Sequence, residues 1–162
     1  MSKAIYPGSF DPITFGHVDI VERAKKVFEG LIVAVVSNPM KKTLFSLEER
    51  RQLCVDALAH ADLGDIQVIT WERLTVECAK KYHAKSIVRG LRANSDFERE
   101  FQMALTNRGL DPDIESVFFM TRGKYSFLSS SIVKEVKRFG GDISQLVTPN
   151  VDKALEEKFR LM

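Results

Sequence analysis

The chain has 162 residues, 44% of them hydrophobic and 28% charged, and 24 basic against 22 acidic residues leave a net charge of +2. That composition belongs to a globular chain and excludes a disordered one. The near balance of charge gives no bulk support for nucleic-acid binding, and no apolar run approaches the roughly 20 residues that cross a bilayer.

The length points to one domain, residues 1–162. The predicted elements alternate. Lys3–Tyr6 is a first strand and Val18–Phe28 a first helix, with Val21, Ala24 and Phe28 on one face. Leu31–Val36 is a continuous apolar run of strand length, the pattern of a strand covered on both sides. Ser46-Leu47-Glu48-Glu49 is a capping box that opens a helix to about Ala59. Ile66–Trp71 is a third strand, Leu74–Tyr82 a helix and Ser86–Val88 a short fourth strand. Ser95–Arg108 is a helix with Phe97, Phe101 and Leu105 spaced four apart, and Gly109 fits its C-terminal cap. Ser116–Met120 is a fifth strand, Ser130–Phe139 a helix closed by Gly140-Gly141, and Val151–Phe159 a terminal helix.

Five strands separated by helices predict an α/β fold, a Rossmann-like doubly wound parallel sheet. Ligands of such sheets bind beyond the carboxyl ends of the strands. The absence of a signal-like segment after Met1-Ser2-Lys3 predicts a cytoplasmic chain with no membrane partner. Cys54 and Cys78 both fall in predicted helices and read as free thiols in a reducing compartment. His17, His60 and His83 are widely spaced and show no zinc pattern, so no metal ligands are assigned.

Four segments at predicted strand ends carry phosphate chemistry. In the first, the turn Pro7-Gly8-Ser9-Phe10-Asp11-Pro12 leads to Thr14-Phe15-Gly16-His17 at a helix start. Helix N-termini present unpaired N–H groups and partial positive charge. Gly8 lets the backbone approach a ligand, Ser9 offers a hydroxyl, and His17 a donor for a phosphoryl oxygen. In the second, Lys41-Lys42 reads either as a solvated pair or as a phosphate clamp. In the third, Arg89-Gly90-Leu91-Arg92 aims two guanidinium groups at a cleft. The bland alternative is an ion pair with Asp96 or Glu98, while Glu100 either faces solvent or accepts from a ribose hydroxyl. In the fourth, Ser129-Ser130-Ser131 precedes a helix, as caps or as donors to the outer phosphates of a nucleotide. Neither a Walker A lysine motif nor G-x-G-x-x-G is present.

The segments Tyr6–His17, Arg89–Arg92 and Ser126–Ser131 together resemble the phosphopantetheine adenylyltransferase family, whose T-x-G-H element also marks the wider nucleotidyltransferase superfamily. Phe45–Arg50 and Ile114–Phe118 extend the likeness along the chain. The resemblance implies the nucleotidyltransferase fold and transfer of an adenylyl group from ATP to 4′-phosphopantetheine. It also implies Mg²⁺ and a homohexamer. By the same likeness, Ser9, Lys41, Thr75, Arg89 and Asn107 would bind the pantetheine substrate. Ser9, Phe10, His17, Gly90, Leu91, Arg92, Glu100, Tyr125, Ser126, Phe127, Leu128, Ser129, Ser130 and Ser131 would line the ATP site. His17, Lys41 and Arg89 would carry catalysis. Three positions depart from the family's usual residues: Ser9 for threonine, Arg99 for tyrosine and Tyr125 for tryptophan.

An anionic phosphate nucleophile needs no strong base, and no Cys or Ser stands beside one, so direct in-line attack is expected. Competing readings are a related transferase using CTP or another phosphorylated acceptor, a nucleotide sensor without turnover, and a tRNA-synthetase fragment. The last has no room here for a tRNA-reading domain.

Overall fold

The computed structural model describes residues 2–92 and 97–162. Its elements in chain order are β1 (Lys3–Gly8), α1 (Phe15–Ala24), β2 (Gly30–Val36), α2 (Leu47–His60), β3 (Gln67–Trp71) and α3 (Thr75–Lys81). They continue with β4 (Ser86–Leu91), α4 (Phe97–Leu110), β5 (Glu115–Met120), a 3₁₀ turn (Gly123–Tyr125), α5 (Ser130–Arg138) and α6 (Pro149–Arg160). The five strands form one parallel sheet in the order β3-β2-β1-β4-β5. The chain reverses its direction of strand addition between β1 and β4, and a crevice opens beyond the carboxyl ends of those two strands.

Period-two alternation sends neighbouring residues of each strand to opposite faces. Ala4 and Tyr6 of β1, with Leu31, Val33 and Val35 of β2, enter one core against α1, α2, α5 and α6. Ile5 of β1, with Ile32 and Ala34 of β2, enters a second core with Val76, Cys78 and Ala79 of α3. The continuous apolar run of β2 is thereby explained, since both of its faces are covered. Cys54 and Cys78 are free and buried, and burial raises both thiol pKa values. Among the described residues no helix is long and apolar enough to cross a membrane.

Several predicted boundaries shift. α1 begins at Phe15, because extended Thr14 caps it, and ends at Ala24. β4 runs past the predicted end at Val88 to Leu91 beside β5, so Arg89 and Gly90 are strand residues. Gly109 does not cap α4; the helix continues through Leu110. The predicted start of that helix, Ser95 and Asp96, lies outside the described residues. Its periodic Phe97, Phe101 and Leu105 face outward, 62%, 52% and 51% exposed, and are not core residues.

Candidate active site

A cleft of about 690 Å³ opens at the carboxyl rim of β1 and β4. Its floor is the turn between β1 and α1. Gly8 is required there for a reason the sequence reading did not give: a Cβ at this position would lie 2.8 Å from the Phe10 ring. Phe10 itself sits at φ 45°, in the left-handed region. Its ring meets Tyr6 and His17 edge-on, with centroids 5.3 and 5.1 Å away.

His17 occupies the third position of α1. Its Nδ1 accepts the backbone N–H of Thr14 at 3.0 Å, taking the place that Glu or Gln fills in a capping box. An accepting Nδ1 leaves the ring proton on Nε2, so the tautomer follows from the helix start. Burial, and then the charges of Arg92 and Arg89, lower the His17 pKa to about 3. His17 is therefore a neutral hydrogen-bond donor near pH 7, unsuited to general-base work.

Arg89 projects from β4 into the cleft wall. Its Nε and Nη2 donate to the two Glu100 oxygens at 2.8 and 2.6 Å, and its Nη1 donates to the Pro7 carbonyl at 2.9 Å. Burial by itself lowers the Arg89 pKa, but the hydrogen bonds and charge of Glu100 outweigh it and hold the pKa above its ordinary value. The alternative ion pair to Asp96 or Glu98 is made instead to Glu100 of α4; Asp96 lies outside the described residues. Arg92 donates from Nη1 to the Leu128 carbonyl at 2.7 Å. Ser129 caps α5 by accepting from Ile132 N–H at 3.2 Å, and Ser130 donates to the Pro12 carbonyl at 2.7 Å. That last bond ties the starts of α1 and α5 together across 118 residues of chain.

The cleft gathers Ser9, Phe10, His17, Lys41, Thr75, Arg89, Gly90, Arg92, Glu100, Asn107 and Leu128 to Ser131 from the expected set. Leu91, Tyr125, Ser126 and Phe127 are not among its lining residues, and Phe127 is 67% exposed. Gly90 is close-packed: a Cβ there would lie 3.2 Å from Ile20. Sequence reasoning missed Asp11 and Lys134. The Lys134 amine meets Asp11 Oδ2 at 2.7 Å inside the cleft. A signal for it existed, because Lys134 lies one turn after Ser130 on the same helix. Asp11 gave none, since its partners are remote in sequence.

The cleft lining supplies one neutral imidazole donor, three lysine amines (Lys41, Lys42 and Lys134), four guanidinium groups (Arg73, Arg89, Arg92 and Arg99) and several hydroxyls, those of Ser9, Thr75 and Ser129 to Ser131 among them. That is chemistry for a polyphosphate and a second anion, held side by side.

A model of the cytidylyltransferase-like family matches residues 5–136, and with the fold and this site it defines the chain as an α/β nucleotidyltransferase. A solved Vibrio parahaemolyticus structure, provisionally assigned as a nicotinate-nucleotide adenylyltransferase, shares the fold at TM-score 0.73. It is 18% identical and covers 100% of this chain and 98% of its own. The phosphopantetheine adenylyltransferase of Caldanaerobacter subterraneus subsp. tengcongensis is 50% identical over 160 residues, covering 99% of both chains. That of Carboxydothermus hydrogenoformans is 52% identical, covering 99% of this chain and 98% of the relative. The chain belongs to the phosphopantetheine adenylyltransferase family.

Proposed function

We propose that the enzyme transfers the adenylyl group of ATP to 4′-phosphopantetheine, giving dephospho-coenzyme A and pyrophosphate. The observation that carries this reading is the single cleft that brings His17, Arg89, Arg92, Lys41 and the serine triplet together. The acceptor's phosphate oxygen attacks the α-phosphorus in line, the bond to the bridging oxygen breaks, and pyrophosphate leaves; no covalent enzyme intermediate forms. His17 Nε2–H donates to an α-phosphoryl oxygen as charge develops. Lys41 and Arg89 hold the nucleophile's phosphate, with Ser9, Thr75 and Asn107 along the pantetheine arm. Arg92, Ser129 and Ser130 hold the departing phosphates.

Mg²⁺ belongs to this reading as a companion of the triphosphate, whose charge it neutralises when bound. The described residues do not form a protein cage for it. They contain no cluster of three or more metal-ligating side chains, and the cleft carboxylates Asp11 and Glu100 are engaged by Lys134 and Arg89. A homohexamer is also part of the reading, supported by the unpartnered apolar face of Phe97, Phe101 and Leu105 on α4. So is a cytoplasmic location, which rests on the ATP consumed.

The test is incubation with ATP, Mg²⁺ and 4′-phosphopantetheine, followed by mass detection of dephospho-coenzyme A. Product from CTP instead, or ATP binding with no product, overturns the reading.

A further inference from the structure

The segment from residue 37 to residue 45, which presents Lys41, is held at both ends by buried charges. At its start, the Arg50 Nη1 of α2 donates to the Val36 carbonyl at 3.0 Å and to the Ser9 carbonyl at 2.6 Å. At its end, the two Asp11 oxygens accept from the backbone N–H groups of Leu44 and Phe45 at 2.9 and 3.0 Å. Arg50 and Asp11 are 3% and 5% exposed. Between these ends the loop is braced internally. Lys41 N–H donates to the Asn38 carbonyl at 3.0 Å, and Met40 N–H to Asn38 Oδ1 at 2.9 Å.

Arg50 is costly where it stands. It pairs with no carboxylate among the described residues, and its buried Nε has no hydrogen-bond partner. An unpaired buried charge is unfavourable, and an apolar side chain of similar length would serve the packing of α2 better. What an apolar side chain cannot do is hold the Ser9 carbonyl, just past β1, and the Val36 carbonyl, at the end of β2, on one nitrogen.

We infer that Arg50 is a positioning residue for the acceptor side of the reaction. It sets the spacing between Ser9 and the loop that carries Lys41, while Asp11 fixes the loop's far end. This rests on the reaction proposed above. Misplacement of a reacting group by about 1 Å can cost about 10²-fold, so a group that only holds a loop in place can matter as much as one that touches substrate.

A double-mutant cycle tests it. Arg50→Met lowers kcat/KM for 4′-phosphopantetheine about 10²-fold. In a Lys41→Ala background the same substitution costs less than about threefold, because the group being positioned is gone. Equal losses in both backgrounds overturn the inference. Arg50→Lys keeps the charge, but its amine ends short of the Nη1 position that holds both carbonyls, and it behaves as Arg50→Met does; full activity in that variant also overturns it. If Arg50→Met does not fold, Arg50→Lys carries the cycle. Limited trypsin digestion gives a readout independent of catalysis. Cleavage at Lys41 and Lys42 accelerates about 10-fold in the Arg50 variants relative to cleavage elsewhere, because the loop opens more readily. Unchanged cleavage counts against the inference. A parental enzyme that forms no dephospho-coenzyme A overturns the proposed reaction, and digestion then decides the loop's anchoring by itself.

Discussion

Arg89 on β4 and Glu100 on α4 meet through two hydrogen bonds of 2.8 and 2.6 Å. The Pro7 carbonyl takes a third donor at 2.9 Å, leaving two of the five guanidinium N–H groups for a ligand. The carboxylate fixes the plane of the guanidinium before any anion arrives. Arg89→Ala is expected to weaken 4′-phosphopantetheine binding about 10–100-fold, the worth of a lost charged hydrogen bond. Isothermal titration measures this, and unchanged affinity would move the acceptor site elsewhere. Glu100→Ala leaves the cation in place but unoriented. A smaller rise in acceptor Kd is expected, with a stability loss of about 1–2 kcal/mol, below the value for a fully buried pair because Arg89 is partly solvated.

His17 contributes as a donor whose proton sits on Nε2. His17→Ala should reduce turnover about 10²–10³-fold, the usual cost of one lost transition-state donor. ATP affinity should change much less, since ground-state binding is shared with Arg92 and the serines. Steady-state kinetics with a separate nucleotide-binding measurement check both. A variant turning over at the parental rate would remove the assigned role.

The same residue sets a pH dependence of stability. The His17 pKa falls from 6.5 to about 3 on folding. As pH drops the unfolded chain takes the proton first, so the stability due to the neutral ring is complete above about 6.5 and is lost progressively toward about 3. Urea unfolding at pH 8 and pH 4.5 should show a smaller acid loss in His17→Gln than in the parent. In ¹⁵N spectra, one of the three imidazoles should stay in the Nε2–H form between pH 5 and 8.

The outward stripe of α4 makes the remaining prediction. Phe97 and Phe101 stack with ring centroids 6.1 Å apart, and both are more than half exposed. If the chain forms the proposed homohexamer through this face, Phe101→Glu should leave the fold intact and lower the mass in solution, as read by light scattering. An unchanged mass would place the subunit contacts on another face.

Much of the fold was legible in the residues. The apolar run of β2 and the capping box at Ser46 each reported a local cause, burial on both faces and satisfaction of orphan N–H groups. The α4 stripe was legible as an apolar helix face and no further, for an equally physical reason. Periodicity records that a helix face is apolar, and it does not record whether the protein's own sheet or another surface covers it. Gly109 has the conformational freedom of a helix stop, yet the Asp111 N–H still reaches the Asn107 carbonyl at 2.9 Å and the helix continues past it.

The candidate site divides in the same way. Tyr6–His17, Arg89–Arg92 and Ser129–Ser131 were visible as phosphate-suited segments because helix starts and strand ends have local signatures. Glu100 as the partner of Arg89, Asp11 with Lys134, and Arg50 with Ser9 and Val36 were not visible.

From residues alone came the order of strands and helices, the four candidate phosphate segments and the family resemblance, since all of these are written in short windows of chain. The tertiary structure decided that β1 lies between β2 and β4. That neighbour relation carries residues 17, 89, 92 and 129–131 to one rim. It also decided which charges are spent on holding that rim together. Such contacts join residues up to 123 positions apart, and no local propensity encodes a pairing that exists only after the sheet has closed.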